Sequence, residues 1–384
     1  MAFYLSFKEV WRNKGRFFLF SLVIALITIL VLFVGGLAEG LSSSNREYLD
    51  KLDADLLLFQ DNVELSTNSS RIGNSKLNDI RRVEGVKEIG PLGFSNGTLV
   101  FTDGREFLDV SLIGVDAGMP GLPPVLEGEA MRSNRGSEIV VDGKVARQRD
   151  INIGDEIIVK TIQGQDESFY KLVVIGITDD QTYLYAPSIF LPYQTWEKVR
   201  PQSSQGTNLV EAISNVVAIQ LDDPSQLDLM KERIETQVSN VEVVDKETAI
   251  RAIPGYLVQQ STLTTQQSFS LLIGVLVIGG FFQIQTLQKV PQIGVLKAIG
   301  ATNSTVAIAV IMQIILVTTF GVALGGFVTW TMSLFIPDTV PLVLELKYLW
   351  TDILALLVIG PIGGMVSVRL ATRVEPLRAL GLSN

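Results

Sequence analysis

Gly294, Lys297 and Gly300 stand close together in the stretch KVPQIGVLKAIGAT, Lys289 to Thr302, and they are residue types of a phosphate-binding loop. Their order is wrong for that chemistry. A loop that cradles nucleotide phosphates reads G-x-x-x-x-G-K-[ST] and is fed by a β-strand; here the lysine precedes the second glycine and no strand leads in. The chain therefore does not hydrolyse ATP itself. It holds no histidine and no cysteine in 384 residues, which removes histidine-dependent triads, the commonest transition-metal ligand and disulfide staples. No G-x-S-x-G elbow occurs either. What the stretch does offer is a compact basic connection carrying Ile293, Val295, Leu296 and Ile299 beside Lys289 and Lys297, a pattern suited to docking on a soluble partner.

One carboxylate, Glu39, stands where a carboxylate is costly, closing the first long apolar run; the last apolar run holds a lone charge, Asp352, near its outer end. Ionisable groups at or within a bilayer are functional candidates by default. For Glu39 the alternative is a headgroup-depth carboxylate that ends the span in water.

The elements that must position these residues are membrane spans. Runs of ~18 or more largely apolar residues occur at Phe17 to Ala38, Phe269 to Leu287, Val306 to Ile336 and Tyr348 to Val368, charged residues make up only 18%, and mean hydropathy is +0.35. The first run exceeds the ~7–15 residues of a signal-peptide core and lacks a good small-residue cleavage site, so it is expected to be a retained anchor. Lys8, Arg12, Lys14 and Arg16 before it, Lys289 and Lys297 in the connection, and Arg369, Arg373 and Arg378 in the tail predict that both termini are cytoplasmic. The net charge of −9 falls mostly in 40–265, a solvated exterior; nucleic acid is not an expected partner.

The expected fold is an α-helical membrane protein with four transmembrane helices (1+3) and an inserted extracytoplasmic α+β domain. The expected segments are a cytoplasmic interfacial helix at 1–16, the first span at 17–38, stalks and the extracytoplasmic domain at 39–267, and the second span at 268–288. They continue with the cytoplasmic connection at 289–304, the third span at 305–336, a short outer loop at 337–347, the fourth span at 348–368 and a cytoplasmic tail at 369–384. Leu49, Leu52, Leu56 and Leu57 predict a helical stalk, Arg82 to Pro192 alternates with period 2, and Asp103-Gly104 and Asp142-Gly143 read as turns at strand edges. Tyr256, Trp330, Tyr348 and Trp350 are expected at the membrane interfaces. The glycine-rich spans are expected to pack closely on one another or on a second copy.

The connection KVPQIGVLKAIGAT resembles the "EIGVLRAIGAT"-type loop of the FtsX/MacB-like ABC permeases, and the tail RVEPLRAL, Arg373 to Leu380, resembles the family's "R-V-x-P-x-x-A-L" ending. One departure is Pro291-Gln292, where family members carry an acidic residue before Ile-Gly. The resemblance implies a homodimer in a bacterial plasma membrane, bound to two copies of a separate ATPase that supplies ATP and magnesium. Lys289, Ile293, Leu296, Lys297 and Ile299 would form the ATPase-coupling segment, acting by mechanotransmission, and no cofactor would be bound by this chain itself. LVLFVGGLAEGLSSSN, Leu30 to Asn45, further resembles the start of the haem-exporting HrtB-like permeases. That resemblance implies haem as cargo, with Glu39 from two copies on the haem iron and Phe33, Leu37, Phe269 and Leu272 against the porphyrin. The competing functions are an FtsX-like regulator of an extracellular partner and an exporter of lipoprotein, peptide or drug, with or without an adaptor protein.

Overall fold

The computed structural model describes residues 14–101, 105–202, 213–337, 340–344 and 346–373. Most of the expected interfacial helix, Asp103-Gly104 and the RVEPLRAL tail beyond Arg373 lie outside the described residues. The chain divides into two compact units, residues 1–40 with 260–384, and residues 41–259.

Helix α1 (Lys14–Lys51) begins as an apolar run, where a backbone without water must satisfy its own hydrogen bonds. It continues thirteen residues past the expected end at 38, through a polar stretch held by ion pairs four residues apart, Arg46 to Asp50 at 2.9 Å and Glu47 to Lys51 at 3.1 Å. The expected helical stalk stops there. Leu56 and Leu57 belong to a strand, β1 (Leu56–Gln60), followed by β2 (Ile72–Gly73), α2 (Asn74–Ile80), β3 (Val86–Val100), β4 (Leu108–Val115), β5 (Val125–Gly128) and β6 (Glu138–Val141). Next come α3 (Gly143–Arg149), β7 (Glu156–Gln163), β8 (Asp166–Thr178), β9 (Ser188–Pro192), α4 (Tyr193–Val199), β10 (Ile213–Ser214), β11 (Val216–Leu221), α5 (Leu227–Gln237), β12 (Val241–Asp245) and α6 (Lys246–Arg251).

The main sheet runs β12-β1-β11-β3-β4-β9-β6-β8-β5, with β7 paired to β3 and β8. Strand β3 holds the sheet together: its first half, Val86 to Leu92, pairs with β11, and its second half, Gly93 to Leu99, pairs with β4. Strand β1 is buried on both faces, which is why its sequence is LLLF rather than alternating. Leu56 and Leu58 pack with Leu77, Ile80, Met230 and Ile234 of α2 and α5, while Leu57 and Phe59 share a core with Tyr48, Leu49 and Leu52 of α1. Trp196 of α4 lies on the cross-strand pair Gly93 and Gly114, where an added Cβ would stand 2.4 and 2.5 Å from the indole.

Asp142 directly follows β6 and caps α3, so Asp142-Gly143 stands at a strand end but starts a helix rather than a hairpin. The buried carboxylate accepts hydrogen bonds from the backbone N–H groups of Lys144, Gln181 and Ser188. Burial outweighs those donors and pushes its pKa up to about 6. Lys144 beside it donates to Glu47 at 3.0 Å, gripping the last turns of α1, and the Tyr48 hydroxyl donates to the Gly121 carbonyl at 2.8 Å. The turn at Leu184 and Tyr185, both with positive φ, donates its N–H groups to the carbonyls of Asn45 and Ser44.

Among the described residues four helices are long and apolar enough to cross a membrane. Besides α1 they are α7 (Tyr256–Gln288), α9 (Asn303–Ser333) and α10 (Leu346–Thr372), with the short α8 (Val290–Ala298) between the first two of these. Phe17, Ile24 and Val31 of α1 share one core with Ile278 and Phe282 of α7, Ile314 and Val317 of α9, and Leu356 and Ile359 of α10. Several span glycines are packing notches within this chain. Gly363 faces Gly279, Gly321 faces Ile24 and Gly360 faces Thr318, each too close to accept a Cβ without a shift. Trp330 and Trp350 are exposed, and the Tyr348 side chain lies outside the described residues. Tyr256 is not a belt residue: it is buried with Tyr48, Ile250 and Ile253 in the core of the α+β unit.

Candidate functional site

The segment from Lys289 to Thr302 is a helix with a specified start and stop. Pro291 sits in the first turn of α8, where its missing N–H costs nothing. The helix ends at Ala298 with Ile299 as its C-cap, and Gly300 follows, whose φ of +101° is the left-handed conformation that glycine adopts freely. Ala301 donates its N–H to the Leu296 carbonyl at 3.1 Å, and Thr302 caps the next helix by accepting from the Thr305 N–H at 3.3 Å. The Ala-Ile-Gly-Ala-Thr run is thus a stop-and-start signal for two helices.

Within α8 the candidate coupling residues separate by face. Ile293 is buried, only 9% exposed, against Val306 of α9 and Ala371 of α10, with Leu296 partly buried beside it. On the opposite side Val295 is 49% exposed and Ile299, four residues on, is 78% exposed. Val295 belongs to the docking stretch read from the sequence, and its i, i+4 spacing from Ile299 puts the two on one outward face. The lysines are engaged inside the chain. Lys289 donates to the Gln313 side chain at 2.9 Å and stands 5.2 Å from the centre of the Phe17 ring. Lys297 donates to the Thr372 carbonyl at 2.7 Å, at the C-terminal end of α10, where helix carbonyls lack intrahelical partners and the dipole favours a cation.

At the other end of the helical unit, Glu39, Phe33 and Leu37 are half-buried on α1, whereas Phe269 and Leu272 on α7 are exposed. These residues do not form one enclosed cluster within a single chain. The structure adds Asp352, which the sequence marks only as a lone charge in an apolar run. It is 5% exposed, accepts a hydrogen bond of 2.5 Å from the Gln267 amide, and fills the notch at Gly35, where an added Cβ would stand 2.4 Å from its Oδ2. Glu39 lies four residues above Gly35 and so on the same helix face. The outer segment covers the rest of that face: Leu344 lies against Gly36, the Pro341 carbonyl lies against Gly40, and Val343 donates its N–H to the Gly36 carbonyl at 3.1 Å. Among the described residues no group of three or more Asp and Glu converges as a metal site.

Comparison with known proteins supplies the lineage. Residues 17–237 match the MacB-like periplasmic core domain, and residues 268–376 match the FtsX-like permease C-terminal model. The chain is 27% identical over 377 residues to a protein named as hemin transport system permease protein HrtB of Staphylococcus haemolyticus, covering 98% of this chain and 99% of that one. A protein of the same name from Staphylococcus epidermidis is 24% identical over 377 residues, with the same coverage. Among solved structures, the extracellular domain of the noncanonic ABC-type transporter YknZ from Gram-positive bacteria is 16% identical, covers 50% of this chain and 100% of its own, and gives a TM-score of 0.37. With a MacB-like model matched over more than half its length and an FtsX-like model over its final spans, the chain belongs to the MacB/FtsX-type ABC-transporter permeases.

Proposed function

We propose that this chain is the permease subunit of an exporter in which two copies pair and bind two copies of a separate ABC ATPase. The observation that carries the reading is α8, which turns Ile293, Lys289 and Lys297 into its own helical unit and leaves Val295 and Ile299 outward. Two apolar side chains one turn apart are the minimal anchor for a helix lying in a groove. ATP-driven closure of the ATPases presses on α8, and α1 and α7, which carry the chain between the two units, convey the displacement to the extracytoplasmic domain. This is mechanotransmission, and the cargo need not thread a central channel. The basic flanks of the spans support a topology with both termini in the cytoplasm and the chain in a bacterial plasma membrane.

The proposed cargo is haem, drawn from the membrane. Its support is the hemin-transport name of the two full-length relatives and the position of Glu39 at the end of an apolar run. Glu39 from each copy would ligate the haem iron, with Phe33, Leu37, Phe269 and Leu272 against the porphyrin faces. The test is a haemin titration of the permease with its ATPase in lipid nanodiscs. A Soret shift that Glu39→Gln weakens is expected. An unchanged spectrum removes haem and leaves lipoprotein, peptide or drug export, or regulation of an extracellular partner, as the task of the same permease.

A further inference from the structure

A helix as short as α8, Val290–Ala298, transmits a push only if it cannot pivot on its two connections. Three ties prevent that. At its start the Lys289 ammonium donates to the Gln313 side chain of α9 at 2.9 Å and stands 5.2 Å from the centre of the Phe17 ring of α1. At its middle Ile293 is packed against Val306 of α9 and Ala371 of α10. At its end the Lys297 ammonium donates to the carbonyl of Thr372, the last residue of α10, at 2.7 Å. Each lysine delivers its charge to an acceptor on another element. Gln313 is itself buried, so the Lys289 contact is directed into the bundle and is part-buried.

We propose that Lys289 and Lys297 are positioning residues that lock α8 to α1, α9 and α10, so that force applied at Val295 and Ile299 displaces these spans as one body. They are struts rather than docking contacts. This rests on the reading that an ATPase docks on α8, and it assigns the two halves of coupling to different side chains: the outward pair captures the ATPase, and the inward lysines convert capture into movement. A merely structural role would lower stability without separating capture from movement.

Because the chain contains no cysteine, Ser261→Cys, at an exposed position of α7, carries one fluorophore and reports ATP-driven change in the full permease–ATPase complex in nanodiscs. Lys297→Met and Lys289→Met are expected to retain the ATPase at the wild-type ratio and to hydrolyse ATP, while the ATP-dependent fluorescence change falls about tenfold. Lys297→Arg, which keeps a long cationic donor, is expected to restore it. Gln313→Leu removes the acceptor of Lys289 without touching the cytoplasmic surface and is expected to reproduce Lys289→Met. The proposal is overturned if the Met variants shed the ATPase, which would make the lysines docking contacts, or if they and Gln313→Leu keep the full fluorescence change. Thermal midpoints of all variants separate these outcomes from misfolding. A wild-type permease that fails to retain the ATPase sinks the docking reading itself.

Discussion

Ile293 and Ile299 are the same residue type six positions apart, and the structure gives them opposite environments, one buried and one exposed. Ile293 fills a small core between α8, α9 and α10, so Ile293→Ala should cost about 2–4 kcal/mol, the usual range for truncating a buried aliphatic side chain. Ile299 buries little within the chain. Ile299→Asp should shift stability by less than about 0.5 kcal/mol yet abolish co-purification of the ATPase. Thermal melting and pull-down on the same two variants check the division; loss of the ATPase by Ile293→Ala alone would reverse it. Gly35 allows a second comparison at this scale. An alanine there must displace the Asp352 carboxylate, whereas at Gly326 the nearest atom to an added Cβ is 3.9 Å away. Gly35→Ala should therefore destabilise by about 1–3 kcal/mol and Gly326→Ala by far less, as measured by thermal midpoint. Equal midpoints would mean that the Asp352–Gln267 pair does not sit in the Gly35 notch.

At the scale of elements, the stop and start around Gly300 is the clearest case of sequence dictating geometry. Gly300→Ala must hold a φ of +101° with a Cβ; the expected cost is about 1 kcal/mol or more, read as a lower thermal midpoint, and Gly300→Asn, which tolerates left-handed conformations better, should cost less. The long apolar helices were legible because a span cannot bury its backbone without forming a helix, and the motif from Lys289 to Thr302 was legible because proline, glycine and threonine act locally. Failures came where tertiary partners decide. Leu56 and Leu57 continue the leucine spacing of α1, but strand β1 is sandwiched between β11 and β12 and buried on both faces, so its sequence has no alternation to betray it. Asp142-Gly143 has turn composition, yet Asp142 caps a helix through the Lys144 N–H while the N–H groups of Gln181 and Ser188, distant in sequence, hold its carboxylate in place. Tyr256 sits beside an apolar span, but the core that claims it is assembled from α1 and α6 as well. For the same reason Asp352 was visible as an anomaly while its partners, Gln267 and Gly35, were not.

At the scale of the whole molecule, the buried residues among those described form separate cores, three within residues 41–259 and two among α1 and α7 to α10, and the titrating groups outside the spans report on the former alone. Asp142 has a pKa raised to about 6 by burial, so the folded state binds its proton more tightly than the unfolded state does. Its contribution to stability therefore grows as pH falls from about 6 towards an unfolded value near 4 and is flat above that window. Asp116 and Glu242, also raised by burial, act in the same direction. Asp245 opposes them only at lower pH. Burial raises its pKa, but bonds from Lys231 and Thr248 outweigh that and hold it at about 2, so the stability it adds is present above about pH 4 and lost as pH falls towards 2. The extracytoplasmic domain should consequently melt at a higher temperature at pH 5 than at pH 7.5. Asp142→Asn should remove most of that difference, about 1.4 kcal/mol for a pH one unit below the folded pKa, because a neutral side chain no longer links folding to protons. Scanning calorimetry of the full chain in nanodiscs at the two pH values measures this. If Asp142→Asn leaves the slope of the domain's transition unchanged, the buried carboxylate is ionised at both pH values and its three backbone donors outweigh burial; if it moves every transition equally, the two sets of cores unfold as one cooperative body.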